Sequence, residues 1–281
     1  MNVTSLETFL AVVKTGSLIA ASKQLNVTQS TVTARLHTLE DEMGQQLLLR
    51  QKTGASLTAS GLKFQRYAEV MVELWRQARQ ETSLPDSMTA IGNIGCHVDL
   101  WPHLGHQVFT RIFNRHQDIA LTAWPSTQMD IDRWMASGVI DVAIGYQPST
   151  ATGQTTLPIG DDQLVLVADR PDRPLRHDPG YVYVDGGEAF ARGHTAAYTD
   201  AGIARVSFGS SVWARQHLLD HGGSAYLPLR LITEDVAKGR LFLLDGAPQF
   251  SRPIVAVLNS STTQNWPWLH DALEQVKTSL T

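Results

Sequence analysis

The first residues of the chain place apolar side chains at helical spacing. Leu6, Phe9, Leu10 and Val13 recur at intervals of three and four, the pattern of a helix with one buried face. The pattern predicts a first helix over residues 4–14.

Two further helices are predicted before residue 45. Gly16 ends the first helix, and Ser17 is suited to cap the second, because its hydroxyl can accept from a free backbone N–H. Thr28 is suited in the same way to cap a third helix, which Gly44 would end. The predicted core positions of this third helix are Val32, Leu36, Leu39 and Met43.

The opposite side of the third helix carries short or forked hydrogen-bonding side chains. Such a surface suits base edges and phosphates in the major groove, although an ordinary solvated helix face has a similar composition. Residues 47–58 then form two apolar runs around a Lys-Thr-Gly turn, which predicts a hairpin with a basic tip. The predicted DNA contacts are Gln29, Ser30, Thr31, Thr33, Arg35, His37, Arg50 and Lys52.

A long helix is predicted next, with Ser60 as its cap and an end near Gln80. Its apolar residues alternate steps of three and four, the period that keeps one seam on a partner helix. Packing against its own domain is the alternative. The residues predicted to dimerise are Phe64, Tyr67, Met71, Leu74 and Ala78, and residues 83–87 form a linker.

From Met88 the pattern changes to short apolar strands that alternate with helical stretches. This order predicts a mainly parallel sheet with helices on both faces. The predicted strands are residues 89–95, 119–125, 141–146, 163–169, 181–185, 204–208, 224–228, 240–245 and 253–259. The predicted helices are residues 99–116, 128–137, 188–199, 210–221, 229–238 and 265–280.

Ligands of open α/β sheets bind beyond the carboxyl ends of the strands. Ser126 and Ser210 are the strongest candidates, because each can hold an anion beside the free N–H groups of a helix start, or serve only as a cap. Trp124 is a candidate wall of the site. The predicted effector-binding residues are Gly95, Cys96, His97, Ser126, Thr127, Gly145, Tyr146, Gly209, Ser210 and Tyr226.

Charge and motif content narrow the function. Residues 1–80 carry nine basic and six acidic residues, whereas the whole chain has a net charge of −4, so a polyanion is attracted to the N-terminal part. The histidine pairs His103/His106 and His217/His221 lack further ligands, and Cys96 lacks a resolving cysteine. Phosphate-binding, dinucleotide-binding and nucleophile-elbow motifs are absent from the sequence. We assign no catalytic residue, metal site or cofactor.

The segment TFLAVVKTGSLIAASKQLNVTQSTVTARLHTLEDEMGQQLLLRQKTGASLTASG resembles the winged helix-turn-helix of LysR-type transcriptional regulators. The resemblance implies an α+β chain: a winged helix-turn-helix over 1–60, a dimerisation helix and hinge over 61–87, and an effector-binding domain over 88–281. This last domain resembles two-lobed periplasmic binding proteins, with lobe I about 88–158 and 254–281 and lobe II about 159–253.

The resemblance also implies partners. It implies a cytoplasmic dimer or dimer of dimers on an inverted-repeat operator in double-stranded DNA, a small-molecule effector such as an organic anion, and RNA polymerase as a further candidate partner. No membrane partner is expected, because no apolar run reaches the length of a span. The alternatives are a cytoplasmic small-molecule-binding protein and an α/β enzyme with an N-terminal dimerisation module.

Overall fold

The computed structural model describes residues 2–51, 54–85, 87–200, 202–264 and 266–280. The chain divides into two compact units. The first contains Met1–Ser87 and Ser137–Val139, and the second contains Met88–Ala136 and Ile140–Thr281.

The first unit combines helices with a small hairpin. The bounds are α1 Val3–Thr15, α2 Leu18–Gln24, α3 Gln29–Met43, β1 Leu48–Gln51, β2 Gly54–Leu57 and α4 Ala59–Thr82. Ser17 and Thr28 cap α2 and α3 with their side-chain oxygens, as predicted. Gly16 and Gly44 end α1 and α3 at φ 66° and 62°, a left-handed conformation that favours glycine.

The core of this unit lies between α1, α3 and α4. The rings of Phe9 and Phe64 meet edge-on, with 5.5 Å between their centroids. Val32, Leu36 and Leu39 are fully buried on the inner side of α3, as predicted. The buried stripe fixes which side of α3 remains outside.

Met43 does not belong to this core, contrary to the prediction, because it is 41% exposed. Glu40 Oε1 accepts hydrogen bonds from the backbone N–H groups of Leu47 and Leu48 at 2.8 and 3.0 Å. Both leucines are buried. They fill the core beside the last turn of α3, which leaves Met43 at the surface.

Thr58, and not Ser60, caps α4. The Thr58 hydroxyl accepts from Gly61 N at 2.9 Å, and the helix already begins at Ala59. The Ser60 hydroxyl instead points to Gln45 Oε1 at 3.4 Å on the exposed side. The predicted cap was therefore wrong by two residues, because Thr58 ends the hairpin and starts the helix.

The second unit is an α/β structure. Its first half consists of β3 Ala90–His97, α5 His106–Arg115, β4 Ile119–Ser126, α6 Gln128–Ser137, β5 Val142–Gly145, β6 Gln154–Ala168, β7 Val182–Val184 and α7 Glu188–Ala197. Its second half consists of β8 Val206–Phe208, α8 Ser211–His221, β9 Ser224–Pro228, α9 Leu229–Ala237, β10 Phe242–Leu243, β11 Phe250–Asn259, α10 Ser260–Thr263 and α11 Pro267–Leu280.

The large sheet is mixed, which corrects the prediction of a mainly parallel sheet. Its order is β10-β6-β11-β5-β3-β4, with β9 also paired to β6. Strand β3 is parallel to β4 and β5, whereas β6 and β11 are antiparallel to all their partners. The cause is that β6 and β11 are long strands that carry the chain from one lobe to the other and back.

Separate hydrophobic cores define the two lobes. Lobe I is built on Ile94, Val142, Ile144 and the second half of β11, under α5 and α11. Lobe II has one core between β9 and α8 and another around Phe190. Strands β6 and β11 are the connections shared by these cores.

The predicted helix over residues 99–116 is also interrupted. Residues Trp101–Gly105 form an irregular turn before α5, with Pro102 at ψ 129° and His103 at φ 70°. Proline lacks the N–H that an α-helix needs beyond its first turn. The helical pattern therefore begins only at His106.

Within the part of the chain that the structure describes, no helix combines the length and apolar character that spanning a membrane requires.

Thr58→Ala should destabilise the start of α4 by about 1 kcal/mol, because an N-cap hydrogen bond is lost. Ser60→Ala is the matched control and should change the local free energy by less than about 0.5 kcal/mol. Hydrogen exchange of the amides in residues 59–64 measures both. Equal effects of the two substitutions would contradict the assignment of Thr58 as the cap.

Candidate functional site

The outer side of α3 is polar and lies opposite the buried stripe. The side chains predicted to contact DNA differ in exposure along this side. Gln29, Ser30 and His37 are exposed, and Thr31, Thr33 and Arg35 are half-buried. The hydroxyl of Thr28 lies 2.8 Å from the hydroxyls of Ser30 and Thr31, so the start of α3 presents a cluster of oxygens and N–H groups.

The two basic side chains on this side of α3, Arg35 and His37, also have partners within the protein. Arg35 Nη1 lies 3.4 Å from Thr8 Oγ1 on α1. His37 Nδ1 lies 2.6 Å from Asp41 Oδ2, one turn further along α3. Contacts of either side chain with DNA would compete with these local contacts.

The hairpin is fastened to the end of α1. The Ala55 N–H donates to the Gly16 carbonyl at 2.7 Å, and a Cβ on Gly54 would lie 2.5 Å from the same oxygen. Arg50 pairs with Ala55 across the hairpin. The Arg50 side chain and the whole of Lys52 lie outside the described residues, so their predicted DNA contacts stay predictions.

The predicted dimerisation stripe of α4 is divided between core and surface. Phe64 was predicted to face a partner helix, but it is buried against Phe9 because α4 packs across α1. Met71 also packs partly on this core. The stripe residues that remain exposed are Tyr67, Leu74 and Ala78.

In the second unit, the Asp99 carboxylate joins the two lobes. Asp99 lies just after β3 in lobe I and is fully buried. Its oxygens accept from Ser210 Oγ at 2.6 Å, from Ser211 N at 2.9 Å and from Val212 N at 3.4 Å. The carboxylate therefore occupies the N-terminus of α8, where the helix dipole favours a negative charge.

This contact changes the prediction for Ser210. Ser210 was expected to hold an effector carboxylate, but a carboxylate of the same chain takes that position. Gly209 is exposed beside it. An effector anion could reach the start of α8 only by displacing Asp99.

Arg230 forms the second bridge between the lobes. It lies in the first turn of α9 and donates to Asp162 through Nε at 2.6 Å and Nη2 at 3.0 Å. It also donates to the backbone carbonyls of Pro102 and Asp99 in lobe I, at 3.0 and 2.6 Å. Asp162 accepts a further hydrogen bond from Tyr146 Oη at 2.9 Å.

Arg252 faces Asp162 across the paired strands β6 and β11. It is 8% exposed, and its guanidinium carbon lies 3.4 Å from the centre of the Tyr146 ring. Its Nη2 is 3.6 Å from Asp162 Oδ2. Among the described residues, its buried Nε and Nη2 have no hydrogen-bond acceptor. An arginine buried in this way retains unused donors.

Burial and charge set the protonation of the groups around these arginines. Burial opposes the charge of Arg230, but Asp162 outweighs it, and the pKa of Arg230 is raised. Burial lowers the pKa of His97, whose ring lies 4.9 Å from that of Tyr146, and raises the pKa of Tyr146. Both shifts favour the uncharged forms of His97 and Tyr146 at neutral pH.

Three predicted effector-binding residues, Gly95, Ser126 and Gly145, pack inside lobe I, whereas Thr127 is exposed. Ser126 donates to the Trp124 carbonyl at 3.0 Å, and a Cβ on Gly95 would lie 2.4 Å from Ile140. Gly145 packs under α6, where a Cβ would meet Ile131 at 3.2 Å. Thr127, not Ser126, caps α6 through a reciprocal pair of contacts with Asp130, at 2.7 and 3.3 Å.

Cys96 and Tyr226 were also predicted to bind the effector, and both belong to hydrophobic cores. Burial raises the pKa of the Cys96 thiol to about 12, which removes the thiolate needed for redox chemistry. Tyr226 is buried, with its hydroxyl 2.7 Å from that of Tyr198. Trp124 packs beside Trp134, with ring centres 5.9 Å apart, and its role as a wall of the site stays a prediction.

The two histidines predicted on α8 lie side by side on that helix. The rings of His217 and His221 lie 4.9 Å apart. Among the described residues, no group of three or more His, Cys, Asp or Glu side chains could hold a metal ion.

Two family descriptions match nearly the whole chain. Residues 3–62 match the bacterial regulatory helix-turn-helix protein, lysR family, and residues 93–276 match the LysR substrate binding domain. The chain belongs to the LysR family. It is a DNA-binding transcriptional regulator with an effector-binding domain, and this family membership confirms the prediction that it is not an enzyme.

Relatives of this LysR-type regulator match over most of their length. The HTH-type transcriptional regulator HdfR of Escherichia coli O17:K52:H18 is 25% identical over 269 residues, 94% of each chain. The fold resembles that of CbnR, a LysR family transcriptional regulator, with a TM-score of 0.72, 17% identity and full coverage of both chains. It also resembles full-length LysG from Corynebacterium glutamicum with bound effector Arg, with a TM-score of 0.56, 19% identity and 99% coverage of each chain.

Sequence reasoning missed the four charged residues of the cleft, Asp99, Asp162, Arg230 and Arg252. The rule of strand ends does not select Asp162 and Arg252, because they lie inside the long strands β6 and β11. The sequence does show each of these charged residues within or beside an apolar run. A charged residue in such a position is buried, and a buried charge requires a partner.

Asp99→Ala should lower the free energy of unfolding of the effector-binding domain by about 1–3 kcal/mol, because it leaves buried donors of α8 unsatisfied. Asp172→Ala removes an exposed carboxylate beside Arg170 and should change the stability by less than about 0.5 kcal/mol. Urea unfolding of the full chain, followed by hydrogen exchange of the Ser211 and Val212 amides, measures both. Unchanged protection of these amides in Asp99→Ala would contradict the bridge.

Proposed function

We propose that this LysR-type regulator binds an inverted-repeat operator through the outer side of α3 and the hairpin tip. The exposed Gln29 and Ser30 at the start of α3 support this proposal, because residues at the start of a recognition helix contact base edges. Thr33 follows on the same side, one turn later. Arg50 and Lys52 would contact the phosphate backbone, which gives affinity without sequence preference.

The proposal includes self-association through α4. Part of the predicted dimerisation stripe is exposed to solvent, namely Tyr67, Leu74 and Ala78. The neighbouring Trp75 is also 51% exposed. Exposed apolar side chains at helical spacing favour pairing with a second helix. A dimer or dimer of dimers would present two copies of α3 to the two halves of the operator. RNA polymerase would be the partner of the regulator bound to its operator.

We propose an organic anion as the effector, bound in the cleft at Arg252. The observation that carries this proposal is the buried Nε and Nη2 pair without an acceptor. These two nitrogens form one edge of the guanidinium group, and that edge matches the two oxygens of a carboxylate. Asp162 is already bound by Arg230 and Tyr146, so an incoming carboxylate would satisfy Arg252 better than Asp162 does.

Such binding would change the relative free energies of cleft conformations. Asp99 and Arg230 hold the lobes together through side chains that an effector would have to accommodate or displace. A ligand shifts a conformational equilibrium only by its differential affinity for the two states. The proposal is that effector binding at Arg252 alters the lobe contacts of Asp99 and Arg230, and thereby operator binding.

Replacing Gln29 or Ser30 with Ala should weaken binding to the specific operator by roughly 5-fold to 100-fold and reduce its preference over unrelated DNA, because base contacts are lost. Thr38→Ala is the matched control, since Thr38 is an exposed residue near the other end of α3. Titration of the DNA upstream of the regulator's own gene, against a scrambled fragment of equal length, measures both affinities. Full specificity in both α3 variants would refute the assignment of this side.

Arg252→Gln should abolish the rise in melting temperature that carboxylic acids bound in the cleft produce in the wild-type regulator. A ligand stabilises the folded state in proportion to RT ln(1 + [L]/Kd), so loss of the bidentate contact removes the effect at fixed concentration. The measurement is a thermal-shift screen of small mono- and dicarboxylic acids on the full chain, with Arg192→Gln on the exposed side of α7 as control. An acid that stabilises wild type and Arg252→Gln equally would place its site elsewhere.

A further inference from the structure

Lobe II contains a cavity of about 220 Å³ that is separate from the cleft. It lies between residues 174–179, the end of α7 and residues 202–205. The charged groups that join the lobes do not line it: Asp99, Asp162, Arg230 and Arg252 are all absent from its walls. The cavity therefore belongs to lobe II alone.

The interior of this cavity combines apolar surface with polar groups, and the Asp178 carboxylate that also lines it is bound by Arg173 and Ser224, at 3.0 and 2.5 Å. Leu166 and Tyr198 contribute apolar surface, and Tyr181 stacks on His194 with 5.6 Å between ring centres and 17° between ring planes. Tyr181 Oη lies 2.8 Å from His194 Nε2. Burial lowers the pKa of His194, so the imidazole is neutral at pH 7. The interior suits an aromatic ring better than an ion.

The rim of the cavity carries two arginines, of which Arg176 has partners in the protein and Arg205 has none among the described residues. Arg176 is held by Asp200 and by the Ala197 carbonyl, at 3.3 and 3.0 Å, and lies 5.2 Å over the Tyr198 ring. Arg205 lines the cavity and is exposed. Among the described residues, it makes no hydrogen bond or ion pair. A free guanidinium group beside an apolar pocket favours an anionic ligand with an apolar body.

The apolar rim residue Ile203 supports the same conclusion. Its side chain is fully exposed next to the cavity, with a relative accessibility of 103%. A ring bound in the cavity would contact Ile203 and remove part of its surface from water, which is favourable.

We propose that this cavity is a second ligand site, which binds a small aromatic carboxylate independently of the cleft. The ring would lie against Tyr198 and Leu166, and the carboxylate would pair with Arg205 at the rim. The volume is below the roughly 300–1,000 Å³ of pockets for drug-sized ligands. It therefore fits one ring with a short acidic arm and excludes a nucleotide.

The test uses phenylacetate as the probe and 2-phenylethanol as its uncharged analogue, in ligand-detected NMR titrations of the full-length regulator. Phenylacetate should bind wild type saturably, and Arg205→Gln should weaken it by roughly 5-fold, the loss expected for one partly exposed ion pair. 2-Phenylethanol should bind wild type about 5-fold more weakly than phenylacetate and be insensitive to Arg205→Gln.

Three further variants locate the probe. Ala204→Trp fills the cavity and should abolish binding of both compounds, while Arg170→Gln, an exposed arginine outside the cavity, should leave both unchanged. Arg252→Gln should also leave phenylacetate binding unchanged, which separates this site from the proposed effector site in the cleft. If Ala204→Trp does not fold, the affinity of phenylacetate for Arg205→Gln still decides the test.

Three results would overturn the proposal. The first is the absence of saturable phenylacetate binding to wild type up to on the order of 10 mM, beyond the affinity range of a specific site. The second is unchanged affinity in folded Ala204→Trp or in Arg205→Gln. The third is loss of binding in Arg252→Gln, which would place phenylacetate in the cleft.

Discussion

Two buried carboxylates determine how the lobes of the effector-binding domain meet. Asp99 and Asp162 are 0% and 1% exposed, and a buried charge without partners carries a large desolvation penalty. Asp99 finds its partners at the start of α8, and Asp162 finds them in Arg230 and Tyr146. Because the donors come from both lobes, satisfying the carboxylates also fixes the lobe arrangement. The buried polar contacts between the lobes therefore constrain the shape of the cleft.

A different constraint governs the N-terminal helix-turn-helix unit: α3 has one buried side and one outer side. The inner side buries Val32, Leu36 and Leu39. Because Gln29 and Ser30 lie on the opposite side of the same helix, they are exposed. The residues that stabilise the fold and those proposed to read DNA therefore share one helix but not one side of it. Substitutions on the outer side can alter recognition while leaving the core of the unit intact.

The sequence was most informative where local rules decide the structure. The helices α1 to α3, the caps Ser17 and Thr28 and the hairpin all depend on neighbours in the chain. The cleft could not be derived in the same way, because Asp99 meets Ser210 across 111 positions and Arg230 meets Asp162 across 68. The rule of strand ends selected His97 and Tyr146, which lie beside the charged residues of the cleft, but it also selected Gly95, Ser126 and Gly145, which pack inside lobe I.

The paired strands β6 and β11 have a further consequence for how this domain can be divided. Their ten-residue ladder, with one irregularity between Ile254 and Val255, supplies hydrogen bonds to both lobes at once. Neither lobe can be excised as a fragment without leaving a long strand edge unpaired, and such edges invite aggregation. The two lobes must for this reason be engineered together: a graft that exchanged a single lobe would have to reconstruct the ladder before it could alter the ligand.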